Sequence, residues 1–394
     1  MKSTILRGLA AALLAVIFSG KLPAAAQEAV HPNANSDDAQ PVENGWVRKT
    51  FDFGSEDINF QSLVPPGATV ETVALGSPDP DTIGKIKIVG KIQPVDGNVP
   101  VEVTITAFDL VAPAAASRVC AYEIESAGYT LRSTKSAPDL SDMRIFATKS
   151  DGSRPMEGAF SQCFTRGNKV LALHFIFDVS KTTDLEAADA LVAKAQDYAN
   201  TMLSHIAFTD GKPTGYGAGM KDVPISIGTE KMNLSVPNLW NVAINDFHGP
   251  LPAELHLVRR KDEKSVGAIW LAVREMKEQP DLDELGKTLI RDYFVLQSLD
   301  AKPAVPVSSG DDPAFTNLGV AARNFRFSVE DKSSEDAGDI LATLIWHEGR
   351  LYVVSVWSIW APTGDRNIFF SRLPGLTAYD LITATLSESI AGQR

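Results

Sequence analysis

Cysteine is scarce in this chain of 394 residues: Cys120 and Cys163 are the only two. A structural zinc site wants four ligands, so two thiols alone do not make one. Basic clusters are missing as well. The formal net charge is −12, and both halves of the chain are acidic. Nucleic-acid binding relies on clustered Lys and Arg to neutralise phosphate, and this chain has no such cluster. The same lack removes an electrostatic grip on anionic lipid. Beyond the first twenty-odd residues, long hydrophobic runs are absent too. The longest, at 170–177 and 351–360, are strand-length, far short of a membrane span.

Catalytic signatures are equally thin. The six histidines (His31, His174, His205, His248, His256 and His347) form neither a His-x-His nor a His-Glu-x-x-His pair. His347 reads as an exposed turn residue and His174 as a satisfied buried one. His248 and His256 have no third ligand at a suitable spacing. There is no Gly-x-Ser-x-Gly elbow. Cys163 with His174 across a hairpin is the weaker alternative to a structural cysteine. Asp331, Ser333 and Glu335 lack the glycine and terminal Glu of a calcium loop. Gly215-Tyr216-Gly217-Ala218-Gly219 lacks the Lys-Ser/Thr pair of a phosphate loop. No catalytic, cofactor-binding or metal-binding residue is nominated, and no cofactor is expected.

Residues 1–26 read as a cleavable signal peptide. Lys2 and Arg7 precede an apolar run at 9–18, and Ala24-Ala25-Ala26 supplies small residues before a cut at Gln27. The mature chain is then periplasmic or secreted, with no membrane span. In such a compartment a Cys120–Cys163 bridge would persist and would contribute about 4 kcal/mol through its closed loop. Two buried free thiols are the other reading. Residues 27–45 are polar, without apolar period, and are expected to be a disordered lead-in.

The remaining length exceeds what one core usually spans. Glycines and Pro213 crowd residues 211–221, which read as a linker between a domain at 46–210 and another at 222–394. The two flanks match in order. Each opens on a strand ending in Val-Pro (Val64-Pro65, Val236-Pro237). A hairpin follows, the first turning at Asp96-Gly97-Asn98 and the second at 261–265. Next comes a helix, at 114–128 and after the Asp281 cap. A strand and a long hairpin follow, turning at Arg166-Gly167-Asn168 and His347-Glu348-Gly349. Each half closes on a helix, the first capped by a Thr183–Glu186 box, the second by Thr377. This predicts a tandem duplication: two α+β domains, each an α/β/α sandwich with a mainly antiparallel sheet flanked by helices.

That element order, with Met232-Asn233-Leu234-Ser235-Val236-Pro237-Asn238-Leu239-Trp240 as the nearest local match, resembles the PsbP-like and DcrB-like family. The resemblance implies a non-catalytic accessory or binding protein of a lumenal or periplasmic compartment, with an unidentified protein partner in the envelope. It carries over no active-site residue. Five of the six tryptophans lie in the second half. Trp240 and Trp360, near strand ends, are the candidate partner or ligand contacts; core filling is the competing role. A hydrolase or small-ligand binder with a site in the inter-domain cleft is the rival to the non-enzymatic reading.

Overall fold

The computed structural model describes residues 45–75, 81–92, 99–152, 154–180, 182, 184–228, 230–246, 253–261, 264–296, 305–329, 338–359 and 365–392. The leader, most of the lead-in, the turn at 96–98, Thr183, His248 and Trp360 lie outside them. The chain divides into two compact units, Met1–Tyr216 and Gly217–Arg394. Both are sheet-rich, and each is built on one seven-stranded antiparallel sheet.

In unit one, β1 (Val47–Phe51) and β2 (Phe60–Val64) form a hairpin that β10 (Ala207–Phe208) extends on the β2 side. The large sheet comprises β3 (Thr69–Thr72), β4 (Thr82–Ile92), β5 (Val99–Asp109), β6 (Thr130–Ser136), β7 (Asp142–Asp151), β8 (Arg154–Arg166) and β9 (Lys169–Asp178), in the order β3-β4-β5-β9-β8-β7-β6. In unit two, β11 (Met220–Ile227) pairs with β12 (Glu230–Pro237). Its sheet comprises β13 (Asn241–Asp246), β14 (Ala253–Lys261), β15 (Lys264–Glu275), β16 (Val305–Asp311), β17 (Ala321–Val329), β18 (Gly338–His347) and β19 (Arg350–Ile359), in the order β13-β14-β15-β19-β18-β17-β16. The two orders are the same pattern.

The register repeats as well. Lys169 faces Asp109 on one side and Arg166 on the other. Arg350 likewise faces Glu275 and His347. Leu110 N–H donates to Asn168 O at 2.9 Å, and Met276 N–H to Gly349 O at 2.7 Å. Arg166 therefore corresponds to His347, and Gly167 to Glu348. Both hairpins use two-residue turns with positive φ, which match the twist of the strands. Gly167 carries φ +64° at the first central position; Glu348 and Gly349 carry +47° and +76°.

Alternation sorts the side chains. On β5, Val101, Val103 and Ile105 enter a phenylalanine-rich core with Phe160, Phe175 and Phe177, while Thr104 and Thr106 point to the other face. Helix α2 (Leu185–Ser204) contributes Leu191, Val192, Ala195 and Met202 to that core. Helix α1 (Ala116–Ser126) lies against β7 and β8 and buries Val119, Cys120 and Ile124. In unit two, α5 (Asp365–Gly392) packs along β12 and β19. Helix α3 (Leu282–Leu296) meets β17 and β18, and the single turn α4 (Pro313–Thr316) leads into β17.

Three local expectations change. The cap of α2 is Asp184, whose carboxylate accepts from Ala187 N–H at 2.8 Å. Thr377 does not cap α5. It is fully buried inside a helix that begins twelve residues earlier and contains Pro374. A proline inside a helical pattern reads as a stop, but Phe370 and Leu373 are buried and Arg372 pairs with buried Asp339, so tertiary contacts hold the turns before it. The helix approaches β19 closely at Gly375, where a Cβ would meet Ser358 Oγ at 2.8 Å. The third change concerns residues 211–221, which are not free between the units. Gly215 is hydrogen-bonded to the first unit's hairpin, and β11 already begins at Met220.

Candidate binding cleft at a hairpin tip

The β18–β19 hairpin ends beside a cleft of about 370 Å³. Trp346 and His347 line it from the end of β18; Gly319, Val320 and Ala321 line it from the start of β17. Thr316 and the exposed Gln279 complete the rim. The wall at 316–320 is built locally. Asp312 caps α4 by accepting from Ala314 N–H at 2.9 Å. Gly319, with φ +62°, returns its N–H to Thr316 O at 2.8 Å, and Val320 N–H reaches Phe315 O at 3.1 Å. Trp346 is oriented by its indole N–H, which donates to Met276 O at 3.1 Å.

His347 is not the exposed turn residue expected. Its side chain is only 13% exposed, and its Nε2 is buried without a hydrogen-bond partner among the described residues. The nearest carboxylate oxygen, Glu348 Oε1, is 4.0 Å away. A buried polar atom without a partner is costly, and His347 is one of the residues that line the cleft. An imidazole nitrogen, an indole face and backbone from a strand start can together orient a small polar segment by hydrogen bonding and stacking.

Unit one carries a different arrangement at the same place. Arg166 is 6% exposed, and each of its three guanidinium nitrogens is engaged. Its Nε donates to Asp57 O at 2.5 Å, one terminal nitrogen to Lys212 O at 2.5 Å, and the other pairs with Asp210. The guanidinium also lies 3.9 Å from the centre of the Phe208 ring. Burial works against ionised Asp210, but the Lys212 N–H and Arg166 outweigh it and hold the carboxyl below its ordinary range. Gly215 closes the arrangement: its N–H donates to Thr165 O and its carbonyl accepts from Gly167 N–H, both at 2.8 Å. Tyr216 hydroxyl donates to Asp139 O at 2.7 Å.

Cys120 and Cys163 form a disulfide with Cα atoms 5.8 Å apart, joining α1 to β8. Cys163 is therefore not a free nucleophile. His174 faces Ser161 across β8 and β9, with Nδ1 2.9 Å from Ser161 Oγ. Burial, aided by Lys85, lowers the imidazole pKa to about 4, so it is neutral near pH 7. Both residues are buried, which seals the hydroxyl from a substrate. Trp240 is 1% exposed in the core of unit two, so it fills the interior instead of offering a contact. Its nominated companion Trp360 lies outside the described residues. His256 stacks on Trp270 at 5.4 Å and sits 3.1 Å from Asp246. No group of three or more potential metal ligands occurs among the described residues. None of their helices is long and apolar enough to cross a membrane.

No protein-family model and no curated protein matches the chain. Among solved structures, the cyanobacterial PsbP protein of Synechocystis sp. PCC 6803 is similar over 46% of this chain and 95% of its own, at 15% identity and a TM-score of 0.28. DynU16, a putative protein in the dynemicin biosynthetic locus, is similar over 74% of this chain and 99% of its own, at 12% identity and a TM-score of 0.17. Likeness at these scores carries no argument about function.

The cleft was missed in the sequence because its parts lie far apart: Gln279, Thr316 and Trp346 come from three separate segments. One signal was available. Arg166-Gly167-Asn168 and His347-Glu348-Gly349 stand at matched turns but differ in their first residue.

Proposed function

We propose that the mature chain is an exported, non-enzymatic binding or accessory protein of the cell envelope, built as two α/β/α sandwiches of PsbP-like and DcrB-like element order. The cleft beside His347 is its contact site. One observation carries this reading: His347 lines a cleft and its Nε2 has no hydrogen-bond partner among the described residues, where each guanidinium nitrogen of the corresponding residue of unit one, Arg166, is engaged. Export is supported by the leader-like order of residues 1–26 and by the Cys120–Cys163 bridge. The cleft volume falls within the usual range for ligand sites, toward its lower end.

The test is site-specific photo-crosslinking in cells that export the protein. A photoreactive residue replaces Gln279 on the cleft rim, with exposed Glu186 on α2 as the comparison position. A discrete protein adduct at Gln279 and none at Glu186 is expected. Failure to find any Gln279 adduct across growth conditions contradicts the reading.

A further inference from the structure

We propose that the cleft of unit two takes a short extended peptide held through its backbone, in the manner that unit one already holds residues 212–216 of its own chain; this rests on the cleft being a binding site at all. The units supply the argument through their register. Asp142 faces Phe164 in unit one, and Ala322 faces Ile345 in unit two. The loop at 139–141 therefore corresponds to 319–321, and Thr165-Arg166-Gly167 to Trp346-His347-Glu348. In unit one the space between those two segments is filled. Lys212 O accepts from Arg166, Gly215 bonds Thr165 O and Gly167 N–H, and Tyr216 reaches Asp139 O. In unit two the same two segments, Gly319 to Ala321 and Trp346 with His347, enclose the cleft.

The unsatisfied donors agree with this correspondence. Gly167 N–H has Gly215 O, whereas among the described residues no backbone carbonyl receives the Glu348 N–H. Arg166 has Lys212 O, whereas His347 Nε2 has no hydrogen-bond partner among the described residues. The two positions that grip peptide carbonyls in unit one thus have no such carbonyl among the described residues of unit two. The ligand's charge follows from the neighbours. His347 has a single ring nitrogen, Nε2, at this position where Arg166 makes three bonds and carries a full charge, and Glu348 already lies 4.0 Å from that nitrogen. A second carboxylate there meets like charge, so the fitting segment is uncharged at the tip and presents carbonyl oxygens. A small residue such as glycine suits the close backbone approach, as at Gly215.

The probe is a fluorophore-labelled peptide of residues 207–216 of this chain, in its Asp210→Asn form, titrated by anisotropy into the full-length mature protein. Saturable binding is expected, little changed between low and high salt. His347→Ala should weaken it about tenfold, and His347→Gln, which restores a side-chain N–H, should recover most of the loss. The unmodified Asp210 peptide should bind no better than the Asn form. Absence of saturable binding, or binding indifferent to His347→Ala, overturns the peptide assignment. A Gln279 adduct in cells with no peptide binding overturns this assignment alone. Peptide binding with no cellular adduct supports it and contradicts the envelope-partner reading instead.

Discussion

The two hairpin tips, Arg166 to Lys169 in unit one and His347 to Arg350 in unit two, share a register and a turn length but differ in what they hold. The first grips its own chain through a buried cation with each guanidinium nitrogen engaged. The second presents a smaller, partly hidden ring beside open space. The contrast shows that two units with the same strand order need not use a matched position alike: in unit one it ties down residues 212–216, and in unit two it lines a cleft.

The strongest way to break the comparison is Arg166→Ala. It removes the buried partner of Asp210, whose side chain is 9% exposed, and leaves only Lys212, with Nζ at 3.6 Å and the backbone N–H at 3.1 Å. Breaking a buried pair by removing one partner costs about 3 to 5 kcal/mol, and the remaining Lys212 contacts put the loss at the lower end. Unit one should lose that much in denaturant unfolding, and the bonds after residue 210 should become protease-sensitive. His347→Ala in unit two should cost about 1 kcal/mol or less, because Nε2 loses no hydrogen bond. Equal losses from both changes would erase the asymmetry.

Next in size is a pH effect confined to unit one. Ser161 faces His174 there, and the corresponding pair in unit two is Ala342 and Ser355, neither of which titrates. The His174 pKa falls from 6.5 to about 4 on folding. Above pH 6.5 the group is neutral in both states and has no effect. As pH falls toward 4 the unfolded chain takes up a proton that the folded one refuses, so stability drops; below 4 the loss is constant. A shift of this size is worth about 3 kcal/mol. His174→Gln should flatten that slope in unit one and leave unit two unmoved, as read by unfolding midpoints between pH 4 and 7.

A smaller change sharpens the view of the second tip. Glu348 holds φ +47°, where non-glycine residues are strained. Glu348→Gly should stabilise unit two by about 1 kcal/mol, while Gly167→Ala in unit one, at φ +64°, should destabilise. Thermal midpoints of the two variants check the opposite signs.

Much of the framework was legible because it rests on local rules. Alternation along β5, the turn residues after Arg166 and His347, and the Asp281 cap each specify their element from nearby residues; Asp281 does accept from the Asp283 and Glu284 N–H groups. Errors arose where distant contacts outweighed local preference. The helix expected to start at Thr377 begins at Asp365, because buried Phe370 and the Arg372–Asp339 pair hold the turns before Pro374. Trp240, beside a Pro-Asn turn, looked available and is buried by the helix and strands that converge on it. The glycines near 215 looked like slack, but their carbonyl and N–H groups complete a hairpin nearly fifty residues away in sequence. A cleft formed from three separated segments has no pattern for a linear reading to find.

Amide hydrogen exchange on the full-length protein, resolved at Gly167 and Glu348, compares the two tips most directly. With Gly215 O on the Gly167 N–H and no described backbone partner on the Glu348 N–H, Gly167 should be protected and Glu348 should exchange near the unprotected rate, slowing when the 207–216 peptide is added. Equal protection of the two amides without peptide would contradict the account.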